Sequence, residues 1–346
     1  MMQMIYRSHL LPVFSIIILF LLTLSPPNTF AKQYTLTGKT MGTFYSIKFI
    51  SMKEQSFATW QQRVDVRLRE VNARLSMYNP KSEISRFNQY PAGEPFKLTT
   101  DFYRVLLESR HLYEITQGAW DGTVKPLVDL WGFGTKDRQT ALPESSQIQE
   151  ALARTGFHKL VLEDHLLTKT QDQVTLDLGS IAKGYGVDAI ARLFSTNGVH
   201  NFLVEIGGEL VGSGKNKKGH PWVIGISRPE KKGLSPALYK TISLKNMAIA
   251  TSGNYRNYFE QDGQLFSHII NPKTGFPVGN QVVSTSVLAK NCTIADGLAT
   301  ALMVMDMQKG IDLVNGLANT ECLIIQKQGN GFISTQSDGF ERFEKK

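Results

Sequence analysis

The apolar positions of this chain change period along its length, and each change marks an element. In "TWQQRVDVRLREVNARLSMYNP", Val64, Leu68, Val71 and Leu75 recur at helical spacing. They predict an amphipathic helix that stops before Pro80. The segment "TTDFYRVLLESRHLYEITQGAWDG" predicts another, capped by Thr100 or Asp101, with Phe102, Val105, Leu106 and Tyr113 inward and its end near Gly118. Further helices are expected from about Ser145 to Arg154, ahead of Gly156, and over 180–197, where Val187, Ile190, Ala191 and Phe194 share a face before Gly198. Two more should begin near Thr293 and span 308–317.

Elsewhere the period is two. "YTLTGKTMGTFYSIKFI" (34–50) reads as a strand pair around a Gly turn. Short strands are expected over 158–178, again between 200 and 290, and in "ECLIIQ" and "GFISTQ". Strands in hairpin runs, with helices between the groups, predict an α+β fold of mostly antiparallel sheets with packed helices. No repeat or low-complexity linker interrupts the pattern. Residues 32–346 are therefore expected to form a single composite domain, two-lobed about a cleft.

The first 31 residues belong to another class. A lone Arg7 precedes an apolar stretch from about Leu10 to Leu24, then Pro26, Pro27 and a small-residue cleavage site ending at Ala31. This is the pattern of a secretory signal peptide, so an exported protein is expected. An uncleaved anchor is the alternative, at the short end for spanning a bilayer. No Cys near Ala31 offers a lipid attachment point. The two cysteines, Cys292 and Cys322, suit a disulfide or two buried thiols equally and make no zinc pattern. The net charge is +8, and +7 once Arg7 leaves with residues 1–31. Its basic residues are dispersed rather than interleaved with aromatics, so no nucleic-acid partner is expected.

Several segments carry groups that packing does not require. "ADGLATALMV" sets Asp296 at the edge of an apolar run with Thr300 four residues on. Asp296 could cap a helix. Equally, the pair shares a helix face and could give two oxygens to a hard metal ion. "TLDLGSIAKGYGVD" reads as strand, Gly turn and helix, with Asp177 before the turn and Lys183 after it. Phosphate could bind at that helix start, although the spacing is not a P-loop. In "VEIGGELVGSGKN", Gly207 and Gly208 suggest a strand bulge or a close approach to the backbone. His268 in "SHIINPKTGFP" is either a hydrogen-bonded core residue or, beside a phosphate, a proton acceptor. Trp120 and Trp131 in "GAWDGTVKPLVDLWGFG" could stack on a flat ring or pack a core. In "LSMYNPKSEISRFN", Ser82 and Ser85 offer caps, and Arg86 is placed to pair with Glu83. Together these outline a site for an aromatic ring, phosphates and a divalent ion.

The ordered blocks "KTMGTFYSIKF", "MYNPKSEISRFN", "GAWDGTVKPLVDLWGFG", "DLGSIAKGYGVD", "EIGGEL", "AIATSGNYRNYF", "SHIINPKTGFP" and "TIADGLATALMVM" resemble the ApbE family of FAD:protein FMN transferases from about residue 40 to 305. The resemblance implies a Mg²⁺-dependent enzyme that cleaves FAD, passes FMN to a Thr or Ser hydroxyl of an acceptor protein and releases AMP. It implies FAD contacts at Met41, Tyr78, Ala119, Trp120, Asp121, Asp177, Lys183 and Ile270. Asp296 and Thr300 match side-chain Mg²⁺ ligands, Ser180 and Ala299 match ligands acting through backbone carbonyls, and His268 matches the base. The family context favours the ligand reading of Asp296 over the cap. The implied acceptor is a flavin-carrying subunit of a membrane redox complex, met in the periplasm or at the outer face of the inner membrane. An FAD pyrophosphatase or a non-catalytic flavin-binding protein would share much of this pattern. One departure is Asn271, where the family usually has Asp, so the turn is kept and a charge is lost.

Overall fold

Met41 and Gly42 take left-handed backbone angles (φ 50° and 70°), and this turn folds the alternating N-terminal segment onto itself. The two arms are β1 (Lys32–Thr40) and β2 (Thr43–Ser51). The structure is a computed structural model that describes residues 31–134, 141–230, 237–254, 257–279 and 281–345. Apart from Ala31, the expected signal peptide lies outside the described residues.

The first hairpin begins an eight-stranded sheet. It continues through β3 (Phe202–Ile206), β4 (Glu209–Ser213), β5 (Met247–Gly253), β6 (Val282–Ala289), β7 (Glu321–Gln328) and β8 (Gly331–Gln336). Every neighbouring pair is antiparallel, and the strands lie side by side in chain order. The other elements are inserted between these neighbours, apart from a short 3₁₀ turn at Phe340–Phe343 that follows the last strand. Gly207 and Gly208 (φ 64° and 107°) form the β3–β4 turn, with Ile206 opposite Glu209, rather than a bulge within a strand. Both residues use backbone angles open mainly to glycine.

The helices are α1 (Phe57–Leu75), α2 (Glu83–Gln89), α3 (Thr100–Ile115), α4 (Lys125–Leu130), α5 (Ser145–Ala153), α6 (Gly179–Thr196), α7 (Cys292–Val304) and α8 (Met307–Asn315). Val64, Leu68, Val71 and Leu75 of α1 are buried as their spacing predicts. On α3 the cap is Thr99, one residue before the expected position, with its hydroxyl accepting from the Phe102 N–H. Phe102, Val105 and Leu106 are buried there, whereas Tyr113 is only half-buried. Ser82 caps α2, but Ser85 supplies its N–H to that cap rather than capping. Glu83 turns to Arg74 and to the Thr99 N–H and hydroxyl, while Arg86 lies over Phe96.

The strands expected over 158–178 form only in part, as Leu160–Glu163 and Leu166–Lys169, joined by Phe96–Lys97. Val174, Leu176 and Leu178 alternate and are buried, yet no ladder forms there. Asn88 instead satisfies the Leu176 backbone on both sides, donating to its carbonyl at 2.9 Å and accepting from its N–H at 2.7 Å. Helix α6 then starts directly at Gly179.

Alternation divides the sheet's side chains between its two faces; Leu36, Ile47, Phe49, Val204 and Ile206 of the first strands pack with α1 and α6. Ala250, Val287, Ala289, Cys322 and Ile324 pack with α3 and α7. Ile249, Leu288, Leu323 and Ile325 pack beneath the hairpin of Trp222–Ser227 and Leu238–Leu244. Both cysteines are buried free thiols, and burial raises their pKa, most strongly at Cys292. Among the described residues, no helix is long and apolar enough to cross a membrane.

Helices α6 and α7 meet at Gly184. A Cβ added there would lie 2.4 Å from the Cys292 carbonyl oxygen, so glycine is required by proximity. Gly184→Ala is expected to push the helices apart and cost about 1–3 kcal/mol. A thermal melt checks this; an unchanged melting temperature would mean that the contact carries no such constraint.

Candidate active site

The head of α7 is closed by groups other than Asp296. Asn291 caps it, accepting from the Ile294 N–H. The Asp188 carboxylate, reaching across from α6, accepts from the Cys292 N–H (2.8 Å), the Thr293 N–H (2.9 Å) and the Thr293 hydroxyl (2.6 Å). Asp296 therefore does not cap the helix; it sits in the second turn, 3% exposed. A buried carboxylate needs partners. Its Oδ2 accepts from the Gly184 N–H at 3.0 Å and lies 3.8 Å from Lys183 Nζ.

Lys183 also reaches Glu209 Oε1 at 3.3 Å. Glu209 was not singled out by its sequence, although it follows directly on the Gly207–Gly208 turn. It is 3% exposed, and its Oε2 is buried without a hydrogen-bond partner among the described residues. One ammonium thus stands between two buried carboxylates. Burial raises the pKa of Glu209, and the Asp296 charge raises it further. Asp296 is raised by burial despite the pull of Lys183. Burial opposes the charge on Lys183, but Asp296 and Glu209 outweigh it and hold the ammonium protonated above its ordinary range.

These groups face a cleft of about 1000 Å³, at the upper end of the size of small-molecule sites. Thr300 lies on its wall one turn after Asp296, with its hydroxyl 3.1 Å from Ser252 Oγ and donating to the Asp296 carbonyl at 3.2 Å. Ser180, at the start of α6, also lines it, and its hydroxyl accepts from Trp120 Nε1 at 2.9 Å. Asp177, just before α6, lines the cleft and accepts from the Gly179 N–H at 2.8 Å. Ala299 does not line it: the residue is fully buried, and its carbonyl accepts from the Thr285 hydroxyl at 2.5 Å.

The aromatic rings divide between the cleft and the core. Trp120 and Ala119 reach the cleft wall and are largely buried, and the Trp120 indole N–H is the one that donates to Ser180. Trp131 is not on the cleft; it stacks on Phe266 and donates to the Gly275 carbonyl at 2.7 Å. Tyr78, 77% exposed, is the aromatic ring open to a ligand beside Phe44 at 67%. Asp121 lines the cleft, but its carboxylate is taken up by the Thr123 N–H and hydroxyl and the Phe157 N–H. Met41 does not line the cleft; at the β1–β2 turn its side chain packs close to Gly186. Ile270 lines it, held by a bridge to Pro277.

His268 lies on the cleft just past the strand Gln264–Ser267. Its Nδ1 is 2.9 Å from the Asn257 carbonyl oxygen, which can only accept, so Nδ1 carries the proton and Nε2 keeps its lone pair. Burial lowers the imidazole pKa against the opposing pull of that carbonyl, which favours the neutral ring. Asn271 holds the next turn by accepting from the Lys273 and Thr274 N–H groups at 2.9 and 3.3 Å, work that needs an oxygen but no charge.

The lone-pair atoms that Asp296, Thr300 and Ser180 themselves offer are all oxygens, the ligand class of a hard divalent cation. Among the described residues, no cluster of three or more His, Cys, Asp or Glu is arranged for a metal. An ion here would therefore draw its remaining ligands from carbonyls and from a bound phosphate.

Comparison with known proteins agrees over the same span. The sequence model of the ApbE family matches residues 41–324. The FAD:protein FMN transferase of Vibrio cholerae is 43% identical over 314 residues, covering 90% of this chain and 93% of that protein. Its Haemophilus influenzae counterpart is 40% identical over 319 residues, covering 90% and 91%. Among solved structures, the flavin transferase ApbE from Vibrio cholerae superimposes with a TM-score of 0.83 at 42% identity, covering 90% of this chain and 99% of that one. The apo flavinyl transferase ApbE of Pseudomonas stutzeri gives 0.81 at 34%, covering 90% and 97%. The fold is the mixed, mostly antiparallel architecture of those enzymes, and this chain belongs to the ApbE family.

Proposed function

We propose that this chain is an FAD:protein FMN transferase that uses Mg²⁺ to move FMN from FAD onto a Thr or Ser hydroxyl of an acceptor protein, with release of AMP. The observation that carries this reading is that Lys183, Asp296, Thr300, Ser180 and His268, drawn from three separate stretches of chain, line one cleft. Asp296 and Thr300, with Ser180, would hold the metal. When bound there, it would supply charge neutralisation for the pyrophosphate. Lys183 favours the charged form of Asp296 and holds it in place, and the start of α6 presents the positive end of its dipole to phosphate. Tyr78 offers a face to an aromatic ring of the dinucleotide.

In the transfer step, His268 Nε2 takes the proton of the acceptor hydroxyl. The freed oxygen bonds to the phosphorus of the FMN half, and that phosphorus loses its bond to the bridging oxygen. AMP departs with the bridging oxygen, leaving a phosphoester on the acceptor. The reading includes export, supported by the signal-like residues 1–31. It also includes an acceptor at the outer face of the inner membrane, such as the flavin-carrying subunit of a redox complex.

The test is to incubate the mature protein with FAD, Mg²⁺ and the soluble flavin-carrying domain of such a subunit, and look for fluorescence that survives denaturing electrophoresis. A dark acceptor would overturn the reading. His268→Ala is expected to slow transfer by about 10²–10⁴-fold with FAD affinity nearly kept. Because the neutral ring is the active form and its pKa is lowered, the wild-type rate should fall only below the ordinary histidine range as pH drops. Rate-against-pH profiles of wild type and variant check this: the acid limb should vanish in His268→Ala.

A further inference from the structure

The hairpin of Trp222–Ser227 and Leu238–Leu244 has two outer edges, and they are treated differently. Along Leu238–Leu244 the chain's own end returns to close the edge: Ile242 bridges Glu344, and the Lys345 N–H donates to the Thr241 carbonyl at 2.8 Å. Along Trp222–Ser227 no such partner exists among the described residues. The Arg228 N–H donates to the Ala237 carbonyl at 2.7 Å, which turns that residue toward the hairpin partner. Antiparallel alternation then aims the backbone groups of Ile224 and Ile226 at the partner, and those of Val223, Gly225 and Ser227 at the open side.

Such edges are ordinarily blunted by charges or proline. Between Pro221 and Arg228 there is no charge or proline, the hairpin's register shift falls only at Ile226/Ser227, and Val223 and Gly225 are exposed. The stretch from Val223 to Ser227 also lines the cleft that holds Lys183, Asp296 and His268.

We propose that this open edge is the docking site of the acceptor protein, whose hydroxyl-bearing segment adds as an extended strand alongside Val223–Ser227. The proposal rests on the transferase reading. Transfer requires a length of foreign chain to enter the cleft, and this wall offers it unpaired main-chain donors and acceptors. Main-chain pairing supplies affinity. The period of two in the added strand turns alternate side chains to one face, so a Thr in the right register points inward. Pro221 and Pro229 bound the edge and limit its register.

Val223→Pro removes one outward N–H, a change an edge strand tolerates because no ladder bond is lost. Val223→Lys adds a blocking charge by a different route. With the soluble flavin-carrying domain of a membrane redox subunit as acceptor, both variants are expected to lose at least tenfold in kcat/KM for transfer, mainly through KM for that domain. Melting temperature should stay at the wild-type value, and KM for FAD should move far less than KM for the domain. Hydrogen exchange at Val223, Gly225 and Ser227 should slow when the same domain, its target threonine changed to valine, is added. Unchanged transfer in both folded variants, or no slowing of exchange, would overturn the docking site. If the wild-type chain hydrolyses FAD but transfers nothing, the transferase reading fails and this proposal with it; if wild type and variants transfer equally, the docking site alone fails.

Discussion

Asp296→Ala is expected to abolish flavin transfer, lowering the rate by about 10³-fold or more, while FAD still binds and the protein still melts cooperatively. The magnitude follows from the several kcal/mol of charge stabilisation that a catalytic metal supplies. The fold should survive because the cap of α7 does not depend on this residue: Asn291 and Asp188 close the helix head. Lys183 would also keep a partner, Glu209, at 3.3 Å. Flavin retention by equilibrium dialysis and transfer by in-gel fluorescence separate the two effects. Loss of FAD binding in step with activity would instead make Asp296 a simple packing or binding residue.

The second large effect concerns stability. Lys183→Met removes the cation between Glu209 and Asp296 and leaves two buried carboxylates facing each other. Breaking a buried pair in this way costs about 3–5 kcal/mol. The lower end, about 3 kcal/mol, applies here because the Lys183 side chain keeps 30% of its exposure, whereas both carboxylates keep 4%. The loss should depend on pH in an unusual direction. Burial, reinforced at Glu209 by the Asp296 charge, already raises both carboxyl pKa values in the wild type. A carboxyl raised on folding stabilises the fold in its protonated form. That contribution is full below the unfolded pKa and is lost as pH rises through the folded one. The variant is therefore expected to melt higher at about pH 5 than at about pH 8. Equal melting temperatures at the two pH values would show that the carboxylates do not repel through the site.

The helices were legible because a buried stripe at 3.6 spacing is a local signal, as Val64, Leu68, Val71 and Leu75 show. The first hairpin was legible for the same reason at a period of two. Where burial and ladder pairing part company, the pattern misleads. Val174, Leu176 and Leu178 alternate like a strand, yet the Leu176 backbone is satisfied by the Asn88 side chain, 88 residues away in sequence. The Gly207–Gly208 pair announced an unusual backbone, but only the register of β3 on β4 makes it a turn.

The candidate site divides along the same line. Asp296 looked like a cap because it stands at the edge of an apolar run; its real partner, the Gly184 N–H, is 112 residues away. Glu209 gave only a weak signal, a charge beside a Gly pair in an apolar strand, and its pairing with Lys183 depends on two elements meeting in space. The family blocks located most of the cleft wall. They could not reveal that Ala299 and Met41 are turned away from it, or that the Asp121 carboxylate is consumed by Thr123 and Phe157.

The most direct measurement is mass spectrometry of the acceptor domain alongside quantified AMP, after incubation of the wild-type chain with FAD and Mg²⁺. One FMN, less a water, should appear on a single Thr or Ser for each AMP released. AMP accumulating while the acceptor mass stays unchanged would contradict transfer and leave only hydrolysis.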